Sequence, residues 1–177
     1  MCSRYEENNK IIYPGDTVNI YIEYNKNIVG IHSLWGFKNR GNVVFNARCE
    51  NMNQYSLFKD LKHCIIKTDN YFEWDQAKHK IIFRSIDGQS LLMAGLVRKN
   101  NGKNEHTIIT TFPNQSVQGI HHRMPLILNR EQAIQWLFNN NSEEILNSIP
   151  EDYTAISEQT DMLTKFTGPV KILNKWS

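Results

Sequence analysis

The segment Val18-Asn19-Ile20-Tyr21-Ile22-Glu23-Tyr24 places Val18, Ile20, Ile22 and Tyr24 on one side and Asn19, Tyr21 and Glu23 on the other. A period of two residues is that of a half-buried β-strand. Turn formers bracket it, Pro14-Gly15-Asp16 before and Asn25-Lys26-Asn27 after. Shorter β-type runs follow at 28–31, 42–46, 64–68, 80–84, 91–98 and 106–111, with Asp87-Gly88 and Asn101-Gly102 as turn dipeptides. Many short strands with no long helices between them argue for a mainly antiparallel sheet or a partly closed barrel.

Helical signal comes late. Asn129 can cap a helix with Gln132 at its third position, after which Ala133, Ile134, Leu137 and Phe138 share one face. Asn141 or Ser142 then leads into Glu143-Glu144-Ile145-Leu146, with carboxylates in the first turn where the helix dipole favours them. A shorter helix is expected around Tyr55 to Leu61. The expected class is therefore α+β, a mainly antiparallel, barrel-like β-sheet core with a few short helices. At 177 residues, with no repeat and no linker-like tract, the chain reads as one domain over 1–177, and the tail 161–177 carries weak structural signal.

Composition narrows the classes. Hydrophobic residues at 40% and charges at 21% exclude a disordered chain. No apolar run approaches the roughly 18 residues of a membrane helix, and no basic segment leads into an apolar one at the start, which reads as a cytoplasmic protein. The three cysteines Cys2, Cys49 and Cys64 are too few and too unevenly spaced for a disulfide framework, and no CxxC or HxxxH pair suggests a metal. Residues 1–130 hold 17 Lys and Arg against 11 Asp and Glu, a net +6, whereas 131–177 hold 3 against 7, a net −4. The basic body permits a nucleic-acid contact, and it is also the ordinary pattern of a solvated surface.

Four segments hold polar residues where core periodicity gives no reason for them. In Met1-Cys2-Ser3-Arg4-Tyr5, loss of the initiator methionine would leave an N-terminal cysteine. Its α-amine titrates near 8, so a useful fraction is neutral and nucleophilic. Such a 1,2-aminothiol condenses with an aldehyde to an imine and closes through sulfur to a thiazolidine. In Asn46-Ala47-Arg48-Cys49-Glu50 an apolar strand runs into Asn, Arg and Glu, which is also what a strand end turning into a loop would show. Glu73 lies between Phe72 and Trp74, where desolvation would raise its pKa toward acid/base use, the alternative being an exposed Glu on an edge strand. His121-His122-Arg123 stands directly before the apolar run Leu126-Ile127-Leu128; paired histidines also mark surfaces and satisfied core contacts.

Taken together these segments resemble the SOS response-associated peptidase (SRAP) family of abasic-site processing proteins. The family pattern runs Met-Cys-Gly-Arg-aromatic, Trp-Gly, Asn-Ala-Arg-x-Glu, Gly-Phe-Tyr-Glu-Trp, Thr-Ile-Ile-Thr-Thr and His-x-Arg-Met-Pro. Here it appears as Met1 to Tyr5, Trp35-Gly36, Asn46 to Glu50, Asn70-Tyr71-Phe72-Glu73-Trp74, Thr107 to Thr111 and His121 to Pro125, in order from residue 1 to about 138. Asp87-Gly88-Gln89 and Met93 to Leu96 also resemble its central strands.

The resemblance implies recognition of abasic sites in single-stranded DNA and a covalent thiazolidine link through Cys2 after Met1 removal, shielding the lesion, with a possible β-elimination lyase activity and self-processing as the origin of the peptidase label. It implies Cys2 as nucleophile, Asn46 as the residue holding Cys2 and the opened sugar, Glu73 as proton shuttle and His121 as its acid/base partner. Arg4, Arg48 and Arg123 are the corresponding phosphate ligands. Trp35 and Trp74 are candidates to stack on bases, or are core. No cofactor, metal or membrane is expected, and a monomer is. Ser3 and Asn70 stand where the family usually has Gly, and Phe112-Pro113 where an acidic residue is common. Two other classes stay open: an N-terminal nucleophile amidohydrolase, and a non-catalytic single-stranded DNA binder.

Overall fold

The computed structural model describes residues 2–150 and the backbone of 154–157; the tail 161–177 lies outside the described residues. In chain order the strands are β1 (Tyr5–Glu7), β2 (Lys10–Ile12), β3 (Thr17–Tyr24), β4 (Asn27–Trp35), β5 (Phe37–Asn39), β6 (Asn42–Val44), β7 (Asn46–Arg48), β8 (Lys62–Thr68), β9 (Asn70–Trp74), β10 (Lys80–Arg84), β11 (Leu91–Asn100), β12 (Lys103–Thr111), β13 (Met124–Pro125), β14 (Ile127–Leu128) and β15 (Thr154–Ser157). The helices are α1 (Gln115–Gln118), α2 (Arg130–Leu137) and α3 (Ser142–Leu146). Among the described residues no helix is long and apolar enough to cross a membrane.

Two hairpins set the long strands. Asn25 and Lys26, with φ of 50° and 63°, join β3 to β4, and Asn101 and Gly102, with φ of 48° and 79°, join β11 to β12. Positive φ at both central residues matches the right-handed twist of the flanking strands. β8 then pairs with both β3 and β11, and β12 runs parallel to β4, with Glu105 opposite Leu34 and His106 opposite Trp35. The circuit β12-β4-β3-β8-β11-β12 closes a five-stranded barrel. Gly95 permits the closure, because a Cβ there would lie 2.5 Å from Ile66 Cδ1 and 2.8 Å from the Thr107 carbonyl oxygen.

Alternation divides the barrel strands between two cores. One face carries Val18, Ile20, Cys64, Ile66, Met93 and Ile108 into a cluster that continues through Tyr5, Tyr71 and Phe83 to a second sheet, β15-β10-β9-β1-β2. The other carries Ile65, Ala94, Leu96 and Ile109 against α2. The N-cap of α2 is a capping box: Asn129 accepts from the Gln132 amide at 2.9 Å and Gln132 reaches back to the Asn129 amide at 3.0 Å. The buried face of α2 differs from the expected one. Ala133, Trp136 and Leu137 are buried, whereas Ile134 is 52% and Phe138 36% exposed. Trp136 wins the position because its indole N–H finds the Cys64 and Gly95 carbonyls at 3.2 and 3.3 Å while its ring stacks on His63 at 3.7 Å. The helix expected at 55–61 is a single 3₁₀ turn over Ser56–Phe58. Asn141 precedes α3 with φ of 53° and makes no side-chain cap.

Candidate active site

Four segments meet beside the second sheet. The N-terminal segment reaches it through β1, with Tyr5 opposite Tyr71 and the Phe72 amide donating to the Arg4 carbonyl at 3.1 Å. β9 supplies Glu73, β7 supplies Asn46 from its parallel register beside Ile108 of β12, and the loop after α1 supplies His121. Asn114 caps α1 by accepting from the Val117 amide at 3.2 Å, and the Ile120 and His121 amides both turn back onto the Val117 carbonyl at 2.8 and 2.9 Å. That tight ending fixes where the imidazole leaves the chain.

Cys2 is fully buried. Asn46 Nδ2 donates to its carbonyl oxygen at 2.7 Å, while Asn46 Oδ1 is buried with no hydrogen-bond partner among the described residues. Burial first, and then the Glu73 carboxylate, push the Cys2 thiol well above its ordinary range, so the sulfur keeps its proton. Glu73 is 3% exposed, and burial pushes its carboxyl up to about 7. Its Oε2 lies 3.8 Å from His121 Nε2. Burial lowers the His121 pKa, opposed by the Arg123 carbonyl. Near neutrality the pair is thus an acid partly protonated beside an imidazole mostly neutral, which suits proton exchange in both directions. Among the described residues no three His, Cys, Asp or Glu side chains gather to hold a metal.

The cationic and aromatic residues separate. Arg48 is exposed at the end of β7. Arg4 is exposed, its guanidinium 4.7 Å from the Trp74 ring and 5.1 Å from the Tyr13 ring. Trp74 is half-buried and lines, with Gln118, His121 and His122, a cleft of about 310 Å³. Arg123 and Trp35 do not join this surface. Arg123 is 3% exposed, with Nη1 and Nη2 on the two Glu50 carboxylate oxygens at 2.8 and 3.0 Å and Nη2 also on the Thr110 carbonyl at 2.7 Å. Its Nη atoms are engaged by Glu50 and Thr110, and its Nε is buried without a hydrogen-bond partner among the described residues, so the guanidinium does not face the open cleft. Trp35 is wholly buried, its indole N–H on the Phe45 carbonyl at 2.8 Å and its ring packed between Tyr5 and Phe45, so it offers no face to a base. Neither Ser3 nor Asn70 has a positive φ, so neither position needs glycine; Asn70 instead donates to the Glu6 carboxylate at 2.8 Å.

Three neighbours of the site were given no role in the sequence reading. Exposed Tyr13 flanks Arg4, exposed Phe112 covers the Arg123 guanidinium at 5.1 Å, and the exposed His122 ring stacks on His121 at 4.5 Å. Phe112 had left a sequence signal as a departure from the acidic residue usual after Thr-Thr, and His122 as one of the paired histidines; Tyr13 left none.

Residues 3–163 match the family described as SOS response associated peptidase (SRAP). The chain belongs to the SRAP family. Relatives in it include abasic site processing protein YoqW of Bacillus subtilis (strain 168), 35% identical over an alignment of 128 residues that covers 65% of this chain and 57% of YoqW. The same processing name is carried by YedK of Escherichia coli (strain K12), 31% identical over 53% of this chain and 47% of YedK, and by HMCES of Xenopus tropicalis, 29% identical over 52% and 37%. The chain spans between 37 and 57% of the length of these relatives. The fold recurs in crystal structures of a protein from Bordetella bronchiseptica (TM-score 0.75, 20% identity, 88% of this chain and 99% of that one) and one from Bacteroides thetaiotaomicron (TM-score 0.69, 23% identity, 88% and 80%).

Proposed function

We propose that this chain recognises abasic sites in single-stranded DNA and bonds to them covalently through Cys2 once Met1 is removed, so shielding the lesion. The observation that carries the reading is the meeting of Asn46 on the Cys2 carbonyl at 2.7 Å with a buried Glu73–His121 pair whose carboxyl titrates near neutrality.

The groups divide the work as follows. The Cys2 α-amine adds to C1 of the ring-opened sugar aldehyde, and one proton passes from nitrogen to oxygen to give a carbinolamine. The Glu73–His121 pair delivers a proton to that hydroxyl, which leaves as water and yields an iminium. Sγ of Cys2 then adds to C1 as the S–H proton passes to Glu73, closing a thiazolidine. One water is released overall. A thiol held neutral by burial acts only when the iminium is present and a base stands ready. Asn46 anchors the attacking residue, and its buried Oδ1 is a fitting acceptor for a sugar hydroxyl or the amine. β-Elimination from the same iminium, with His121 taking a proton at C2 as the C3–O bond breaks and the 3′ phosphate leaves, would supply lyase activity. Arg48 and Arg4 would meet phosphates and Trp74 a base. The self-processing step on this reading is the exposure of Cys2.

Replacing Cys2 by Ala tests the chemistry. The variant should still bind an abasic oligonucleotide, form no heat-stable adduct, and be trapped on DNA only when borohydride reduces its imine. A heat-stable adduct from Cys2→Ala without reductant contradicts the reading.

A further inference from the structure

Arg123 is nearly buried, its guanidinium clamped by Glu50 and by Thr110, and the residue that its backbone touches is His121. His121 Nδ1 lies 3.0 Å from the Arg123 amide nitrogen and also 3.0 Å from the Arg123 carbonyl oxygen. On its other side Nε2 faces Glu73 Oε2 at 3.8 Å. The charged and titratable groups that bear on the ring are Glu73, the N-terminal amine and His122 stacked at 4.5 Å, and the Arg123 whose backbone touches it is itself paired with Glu50.

The two contacts at Nδ1 serve different proton inventories. When Glu73 is ionised and the imidazole neutral, a proton on Nε2 faces the carboxylate, and bare Nδ1 accepts from the Arg123 N–H. When the pair takes up one more proton, Nδ1 becomes N–H and donates to the Arg123 carbonyl, while one proton stays between Nε2 and Oε2. Nδ1 keeps a partner 3.0 Å away in both states. We propose that Arg123, anchored by Glu50 and Thr110, is a positioning residue whose own peptide group serves His121 Nδ1 in both charge states of the Glu73–His121 pair, so that the ring gains and loses a proton without turning. A condensation needing acid at one step and base at the next is helped by a ring that stays in register. This deepens the reading of the site given above.

The ring nitrogens can be read directly. ¹⁵N NMR of the native protein over a pH titration should show neutral His121 protonated at Nε2 with Nδ1 as acceptor, passing to the doubly protonated ring on acidification without a change of ring orientation. A neutral ring protonated at Nδ1 at a pH where Glu73 is ionised overturns the proposal. This measurement needs no DNA, so its failure is distinct from failure of the proposed function. In kinetics, Glu50→Gln should slow adduct formation about 10- to 100-fold and shift its pH profile with DNA affinity unchanged. Combined with His121→Ala it should add nothing further. An equal loss in that background marks Glu50 as merely structural and overturns the proposal.

Discussion

Arg123 presents its guanidinium fork to both carboxylate oxygens of Glu50, at 2.8 and 3.0 Å, within a site that leaves Arg48 exposed two residues before Glu50. Arg123 and Arg48 are therefore placed differently, one clamped inside the fold and one open to solvent. Hydrogen bonds from Arg123 outweigh desolvation and hold the Glu50 carboxyl below its ordinary range. Glu50→Ala leaves a nearly buried guanidinium unpaired and should cost about 3 kcal/mol in urea unfolding. Arg48→Ala should cost under about 0.5 kcal/mol but weaken DNA binding and lower the salt slope by about one.

Burial of Glu73 couples function to stability. Its folded pKa of about 7 stands above the ordinary 4.5, so between those values the native state holds more protons than the unfolded one, and stability falls as pH rises. Full ionisation costs roughly 3 kcal/mol at 1.36 kcal/mol per unit. Glu73→Gln should therefore raise the melting temperature at pH 8, change it little at pH 4, and slow adduct formation. Equal melting shifts at both pH values would contradict the origin of the effect in ionisation.

The two tryptophans test core against surface. Trp35→Ala should destabilise by about 3 to 5 kcal/mol, because the side chain fills the junction between barrel and second sheet. Trp74→Ala should leave folding nearly intact and weaken single-stranded DNA binding by about 1 to 3 kcal/mol, with Arg4 freed from its ring. Chemical denaturation and binding isotherms on the same variants separate the two.

Local rules carried much of this fold. Asn129 and Gln132 form the expected capping box, and Asn101-Gly102 the expected hairpin, because both depend on a few adjacent residues. The short strands β1, β2 and β5 were not legible: three residues hold no period, the Tyr5–Ile12 and Phe37–Val44 pairs are brief local hairpins, and β1 joins its sheet only through the distant pairing of Tyr5 with Tyr71. At the site, spacing and resemblance picked out Cys2, Asn46, Glu73 and His121, which the fold brings together. Burial was the missing quantity. Whether Arg123 faced phosphate or Glu50, and whether Trp35 faced a base or Tyr5, depended on tertiary contacts that no local pattern encodes. Ile134 and Phe138 misled for a related reason, since a two-turn helix buries only the i, i+3, i+4 set of Ala133, Trp136 and Leu137.

Asn46 should matter to rate more than to stability. Asn46→Ala removes the 2.7 Å bond to the Cys2 carbonyl and should slow adduct formation about 10- to 100-fold, with Asn46→Asp intermediate at best because a carboxylate accepts where Nδ2 donates. Single-turnover kinetics at saturating protein checks this.

Intact mass after incubating Met1-free protein with a single-stranded oligonucleotide carrying one abasic site tests the central claim most directly. The account predicts a species equal to protein plus oligonucleotide less one water, stable to heating, absent with an intact base and absent with Cys2→Ala. Only unmodified protein and oligonucleotide, from a sample whose N-terminus is verified as Cys2, would contradict it.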